Sequence, residues 1–163
     1  MNFELVKIDR LSGNKASIYS ILLGGEDITL LDRFWEENKF SSLSELKDII
    51  ARLNTIGHNK GAREDFFKKH EGKPGDGVCA LYDDDENKLR LYCIRYGTLI
   101  VILGGGGPKN VRALQDDPKL TEENKIMVQV SSAITKRIKE QRIKYSKDWM
   151  DFEGDLMFND EDE

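Results

Sequence analysis

The sequence predicts an α+β fold in which two to four helices pack on one face of a small antiparallel sheet. Residues 88–96 alternate between apolar and polar side chains, as a strand with one covered face does. Residues 98–103 contain five consecutive apolar positions with β-branched members, a pattern typical of a strand covered on both faces. Residues 43–56 carry apolar side chains at helical spacing. The chain therefore combines a β-hairpin with at least one amphipathic helix.

Length and composition indicate a globular domain with its own core. The chain has 163 residues, of which 39% are hydrophobic and 34% charged. No run approaches the roughly 20 apolar residues of a membrane span, and the first ten residues mix acids and bases rather than form a signal peptide. Cys79 and Cys93 are too few for a disulfide framework, although a turn at Glu86 would place them opposite each other. We therefore expect a cytoplasmic protein with reduced core cysteines.

Charge divides the chain unequally. Residues 151–163 hold seven carboxylates and no cation. Residues 1–150 therefore contain 23 of the 30 acids and all 25 lysines and arginines. The net charge of −5 therefore hides a mildly basic body. We predict one domain at residues 1–148 and an acidic C-terminal tail at residues 149–163. Large apolar side chains also occur in this tail: Trp149, Phe152, Leu156, Met157 and Phe158.

The N-terminal third is predicted to form a hairpin and a short helix. Apolar residues at 3–8 and 16–23 flank a Ser-Gly-Asn turn, which indicates an N-terminal hairpin over residues 3–23. Residues 28–38 have Leu and aromatic side chains at helical spacing and predict an amphipathic helix.

A second helix follows directly. Ser42 and Glu45 have the spacing of a capping box, and Gly57 supplies a stop. Its apolar stripe is predicted to face the sheet, near Leu91, Cys93 and either Val101 or Ile100. The stripe consists of Leu43, Leu46, Ile49, Ile50, Leu53 and Ile56.

The C-terminal half is predicted to hold a three-stranded meander and a last helix. Strands at residues 77–83, 88–96 and 98–103 would be joined by short turns, because acids and Asn separate the first two and Gly separates the others. Thr121 is a candidate N-cap for the final helix. Residues 136–147, at the end of that helix, carry six cations and one acid.

This order of elements resembles the RelE/ParE/HigB toxin superfamily. The residues that carry the resemblance are Arg90 in KLRLYCIRYG, the apolar strand 98–103, and Lys109 in GGGGPKN. The order of elements agrees over residues 28–140, and the residues themselves agree over about 78–112. The sequence departs from the family in lacking an arginine in VCALYD and an aromatic-lysine-lysine exit from the apolar strand, and in its long N-terminal hairpin and acidic tail.

The resemblance implies a RelE-like fold and the toxin part of a type II toxin–antitoxin system, acting as a metal-independent mRNA endoribonuclease at the ribosome. The implied partners are an antitoxin protein and mRNA on the ribosome, with no membrane; a homodimer is allowed. Arg90 and Lys109 would clamp phosphate, and Tyr92 or Tyr82 would stack a base or pass a proton. Further RNA contacts are expected from Lys88, Arg95, Arg112, Lys136 and Arg137.

No cofactor or metal site is expected. His58 and His70 have no partner histidine or cysteine at ligand spacing. The glycine run 104–107 could cradle a phosphate on backbone amides, but it lacks a Gly-Lys-Ser/Thr ending, and a flexible strand exit is the better interpretation.

Each interpretation has an alternative. Arg90 could pair with an acid across the hairpin, and Tyr82 and Tyr92 could be ordinary strand residues. The chain as a whole could be a catalytically silent RelE-like protein-binding module. The acidic tail could fold over the basic face that RNA would use, or could play no part in binding.

Overall fold

The computed structural model describes residues 1–69, 71, 77–81, 86–109 and 117–159. The helices within these residues are α1 at Leu30–Thr55 and α2 at Pro118–Lys139, with a π-helical turn at Ile56–Lys60 and a 3₁₀ turn at Glu64–Phe66. The strands are β1 Phe3–Lys7, β2 Ser17–Leu23, β3 Phe67–Lys68, β4 Val78–Leu81, β5 Leu89–Tyr96, β6 Ile100–Pro108, β7 Ile143–Tyr145, β8 Phe152–Gly154 and β9 Met157–Phe158.

The main sheet has seven strands in the order β3-β4-β5-β6-β2-β1-β9, and β7 pairs separately with β8. The α+β class is therefore confirmed. The sheet is mixed, because β2 runs parallel to β6 while the other described pairs are antiparallel. The predicted small antiparallel sheet is thus incomplete: the N-terminal hairpin and the C-terminal segment extend the meander on the far side of β6.

The helices cover opposite faces of this sheet, which corrects the prediction that they share one face. Leu91, Cys93 and Val101 pack in one core cluster with α1. Tyr92 and Ile94, which alternate with them, pack in a second cluster with α2. The reason is visible in β6, which is buried from Ile100 to Gly107, so each of its faces needs a cover. In the sequence, the apolar run at residues 98–103 indicated that this strand is covered on both faces.

Helix α1 joins the two predicted N-terminal helices across a kink. Ser42, at the predicted capping box, has non-helical φ/ψ of −145° and 37°. Glu45 Oε1 accepts hydrogen bonds from the amides of Lys88 (2.8 Å) and Leu89 (3.4 Å), and so ties the helix to the start of β5. In the predicted stripe Leu46 and Leu53 are buried against the sheet, whereas Leu43 is 43% exposed.

The meander has the predicted register. Ala80 lies opposite Tyr92, and Cys79 lies opposite Cys93. Both cysteines are free and buried, with their Sγ atoms 3.4 Å apart. Burial, together with the neighbouring Cys79 thiol, raises the pKa of the Cys93 thiol well above its ordinary value.

The C-terminal segment is part of the fold up to residue 159. Strand β9 pairs with β1, and Phe158 stacks on Phe3 with ring centroids 4.2 Å apart. Phe152 is also buried. The predicted separation of residues 149–163 as a tail therefore does not mark a boundary of the core, because aromatic side chains at two positions complete the α2 face.

Candidate nucleic-acid interface

Pairing of β5 with β6 brings the predicted phosphate-binding cations to one end of the sheet. Arg90 lies opposite Gly107, and the Lys109 amide donates to the Lys88 carbonyl at 2.8 Å. Lys88 is exposed, while Arg90 and Lys109 are half-buried. Because strand residues alternate, Arg90 shares the face of Tyr92, which is the face that α2 covers. The backbone positions of three cations therefore lie at one end of the β5–β6 pair, next to the start of α2.

The glycine run lies inside β6 rather than in a flexible exit or a phosphate-binding loop. A register shift opposite Tyr92 places an extra residue in β6, which is a β-bulge. A Cβ on Gly104 would overlap the Met127 side chain, and one on Gly105 would overlap the Glu123 carboxylate. The glycines therefore allow α2 to approach the strand closely.

Helix α2 begins at this point because of a cap that the sequence analysis placed elsewhere. Asp117 Oδ1 accepts from the Leu120 amide at 3.0 Å, and Pro118 occupies the first turn. Thr121, the predicted cap, is already inside the helix. The start of α2 therefore lies one turn earlier than predicted, which brings Lys119 and Glu123 next to the glycine strand.

An ionic cluster links α1 to α2 beside the glycine strand. Glu123 Oε1 lies 2.5 Å from Arg33 Nη2 and 2.7 Å from Lys119 Nζ. Lys119 Nζ also lies 3.2 Å from the carboxylate of Glu37. The Glu123 side chain is 2% exposed, whereas those of Lys119 and Glu37 are 42% and 40% exposed. The cluster thus runs from the core to the surface.

The sequence analysis missed this cluster, although one signal was present. Glu123 occupies a position in the apolar stripe of α2, three residues after Leu120 and four before Met127, where a carboxylate is unexpected. Lys119 precedes it by four residues, which is the spacing of a helical ion pair.

Tyr92 does not take the predicted role. Its side chain is fully buried between the sheet and α2, so it cannot stack on a base in this arrangement. The alternative interpretation, an ordinary strand residue, describes its position. Tyr82 and Arg112, two further predicted site residues, lie outside the described residues.

Arg95, a predicted RNA contact, is half-buried and makes contacts within the fold. Its Nε donates to the Ala62 carbonyl at 2.6 Å, and its guanidinium lies 5.9 Å from the centre of the Phe67 ring. These contacts attach the end of β5 to β3 and to the segment that precedes it.

Arg137 is a structural residue too, which corrects its assignment to RNA binding. Its side chain is 4% exposed, and its guanidinium lies 3.8 Å from the centre of the Phe158 ring. Nη1 donates to the carbonyls of Asp155 (2.8 Å) and Met157 (2.6 Å). Lys136 is exposed at the same end of α2, far along the helix from Lys119.

The C-terminal segment reaches the far edge of the main sheet through β9, whereas Phe152 contacts Tyr96 at the end of β5, with ring centroids 5.1 Å apart. Asp151 accepts from Tyr19 Oη at 3.0 Å and pairs with Lys7 at 2.8 Å. Partial burial acts to raise the pKa of Asp151, but the hydrogen bonds and the Lys7 charge outweigh it and leave the pKa below its ordinary value. Asp155 pairs with Arg142. The segment therefore covers cations of α2's C-terminal end, while β1, β2 and β6 separate β9 from β5.

The described residues contain no group of three or more histidine, cysteine, aspartate or glutamate side chains that could hold a metal ion. Neither α1 nor α2 is long and apolar enough to cross a membrane, a finding that covers the described part of the chain. His58 lies after α1, where its ring packs against Gly13.

Comparison with known proteins finds no matching family model, no matching curated protein and no matching solved structure.

Proposed function

We propose that this chain is a RelE-like, toxin-type protein that binds mRNA at the ribosome and cleaves it, as one component of a type II toxin–antitoxin pair. The observation that carries the proposal is the meeting of Lys88, Arg90 and Lys109 at one end of the β5–β6 pair. Cations grouped on a strand end are suited to hold the RNA backbone.

The order of elements supports the same proposal. A strand, a kinked helix, a three-stranded meander and a last helix follow one another in the order that the superfamily resemblance implies. The parallel pairing of β2 with β6 joins the N-terminal hairpin to the meander in one sheet.

The chemistry requires the ribose 2′-hydroxyl to give its proton to a base and attack the adjacent phosphorus. The bond between phosphorus and the 5′-oxygen breaks, an acid protonates the 5′-oxygen, and a 2′,3′-cyclic phosphate remains. Negative charge grows on the phosphate oxygens during this step, and Arg90 and Lys109 are the groups proposed to stabilise it. Tyr82 stays the proposed candidate for base stacking or proton transfer, because the burial of Tyr92 removes the other.

The test is induced expression in a bacterial host, with growth and primer extension on cellular mRNA as readouts. We expect wild type to arrest growth and cleave mRNA. Arg90→Ala or Lys109→Ala should relieve the arrest, because one lost charge-assisted contact costs on the order of 10²–10³ in rate. Lys125→Ala removes an exposed cation from α2 and should stay toxic.

Thermal unfolding of each purified variant separates loss of the site from loss of the fold. If folded Arg90→Ala and Lys109→Ala proteins remain as toxic as wild type, the site is wrong. If wild type neither arrests growth nor cleaves mRNA, the nuclease proposal fails.

A second candidate function is a catalytically silent module that binds a protein. The observation that favours it is an apolar groove of about 410 Å³ on α1, with Leu31, Trp35 and Ile50 in its lining. Phe40, on the same helix, is 93% exposed. Large exposed apolar groups of this kind occur at protein-binding surfaces. This candidate predicts that wild type and Arg90→Ala are equally harmless.

A further inference from the structure

The ionic cluster on α2 reaches the same strand end as the proposed RNA-binding cations. Arg90 lies opposite Gly107 in the sheet. A Cβ built on Gly107 would lie 3.4 Å from Lys119 Cγ, so the Lys119 side chain passes directly over that glycine. Lys119 and Arg90 therefore approach one backbone position, one from the helix and the other from the neighbouring strand.

The cluster is poorly explained as a device for stability. Glu123 Oε2 and Arg33 Nε are both buried, and neither has a hydrogen-bond partner among the described residues. Desolvating an ion pair costs several kcal/mol per ion, and unsatisfied atoms leave part of that cost uncompensated. An apolar residue at position 123 would fit the stripe of α2 better.

The cluster does, however, determine where Lys119 points. Glu123 is anchored by Arg33 from α1 and packs against Gly105. Its Oε1 then holds Lys119 Nζ at 2.7 Å. The ammonium group is thus held at the surface end of the cluster, with 42% of the side chain exposed.

We propose that Lys119 is a phosphate-binding residue of the RNA site, held over the glycine strand by Glu123. The inference rests on the proposed function and extends its site from the strand ends onto α2. Lys88, Arg90, Lys109 and Lys119 then form one surface. Positions two apart in a strand are separated by about 7 Å, so this surface fits an RNA strand with successive phosphates rather than a single nucleotide.

Exchange of one partner allows Lys119 to bind phosphate. A lysine ammonium has three donors, and Glu123 engages one of them. The pair with Glu37 joins two side chains that are each about 40% exposed, and such surface pairs contribute little stability. A phosphate oxygen can therefore replace Glu37, which moves into solvent, while Glu123 keeps the ammonium in place.

The test is the salt dependence of binding to a fluorescein-labelled single-stranded RNA of about 12 nucleotides. This length lies within the range of site sizes of proteins that bind single-stranded nucleic acid. Fluorescence anisotropy gives log K against log salt concentration for the intact protein. Each lost phosphate contact should reduce the magnitude of the slope by about 0.7 for a single strand. We expect that reduction for Lys119→Met and close to none for the control Lys125→Met.

Two further variants separate a binding role from a structural one. Lys119→Arg keeps the charge and should restore the slope, although it changes the packing. In a Glu123→Gln background, Lys119→Met should weaken binding less than it does in wild type, because the lysine is no longer held over Gly107. A purely structural Lys119 would lower the melting temperature and leave the slope unchanged.

The outcomes distinguish the two proposals. If wild type does not bind the RNA at any salt concentration, the proposed function fails. If Arg90→Met and Lys109→Met reduce the slope while Lys119→Met does not, only the role of Lys119 is overturned.

Discussion

Helix α2 carries a buried charge near each end, and the two ends use it differently. Near the N-terminal end Glu123 is 2% exposed, and near the C-terminal end Arg137 is 3% exposed. Arg137 lies in the last turn, where a positive charge complements the helix dipole, whereas Glu123 lies beyond the first turn. The N-terminal charge holds another charge, Lys119, at the surface. The C-terminal charge is enclosed by the chain itself, through two carbonyls, the Phe158 ring and the Asp155 carboxylate, which lies 3.5 Å from Arg137 Nη1.

The difference shows that whether a cation can bind a ligand depends on the groups it already contacts. Its position within a run of basic residues is a poorer guide. Arg137 lies among the six cations of residues 136–147, yet backbone oxygens and an aromatic face enclose it. Lys119 lies in no basic run, and its partners are two carboxylates, one of which is exposed. We therefore expect changes at the C-terminal end to affect stability and changes at the N-terminal end to affect binding.

The largest effect is expected at the C-terminal end. Arg137→Met keeps the apolar stem but removes two charge-assisted hydrogen bonds and the ring contact, so the free energy of unfolding should fall by about 2–4 kcal/mol. Urea denaturation measures this change. The matched variant Lys139→Met removes an exposed cation from the same turn and should stay within about 0.5 kcal/mol of wild type.

The salt slope of RNA binding should be the same for Arg137→Met and wild type. A variant that keeps wild-type stability and loses salt dependence would mean that the guanidinium meets RNA, and the comparison between the ends would be reversed.

A smaller effect is expected at the glycine strand. Gly105→Ala would place a methyl group against the Glu123 carboxylate, which Arg33 and Gly105 hold in place, so we expect a loss of about 1–3 kcal/mol in unfolding free energy. An alanine methyl group at position 107 would lie 3.4 Å from the flexible Lys119 stem and 3.9 Å from Leu120 Cδ2, both ordinary contacts or close to them. Both substitutions restrict the unfolded chain alike, so the difference between their urea midpoints isolates the contact with Glu123. Equal midpoints would show that the carboxylate is not confined.

Local patterns in the sequence predicted much of the fold. The alternation at residues 88–96 and the short turn at Glu86 predicted the register that pairs Cys79 with Cys93, because strand faces follow a two-residue period. The apolar stripe of the second half of α1 was correct except at Leu43, which lies next to the kink at Ser42.

Features that depend on distant parts of the chain were not predicted. The apolar run at residues 98–103 indicated that both faces of β6 are covered, but no local pattern indicated that the N-terminal hairpin joins the meander through β2 and β6. For the same reason residues 149–163 were predicted to be a tail outside the domain, although Phe152 and Phe158 complete a core that also contains residues from the N-terminal hairpin. The candidate site was predicted in part. Arg90 and Lys109 were proposed from the sequence, whereas Lys119 could be proposed only once the position of α2 beside the glycine strand was known.

The most direct test of the difference between the two ends is an NMR titration of isotope-labelled protein with the same RNA. Side-chain signals of Lys119, Arg90 and Arg137 report on the two ends of α2 at once. We predict that the Lys119 ammonium and Arg90 Nε–Hε signals shift with added RNA and that the Arg137 Nε–Hε signal does not. Shifts at Arg137 with Lys119 and Arg90 unmoved would contradict the account.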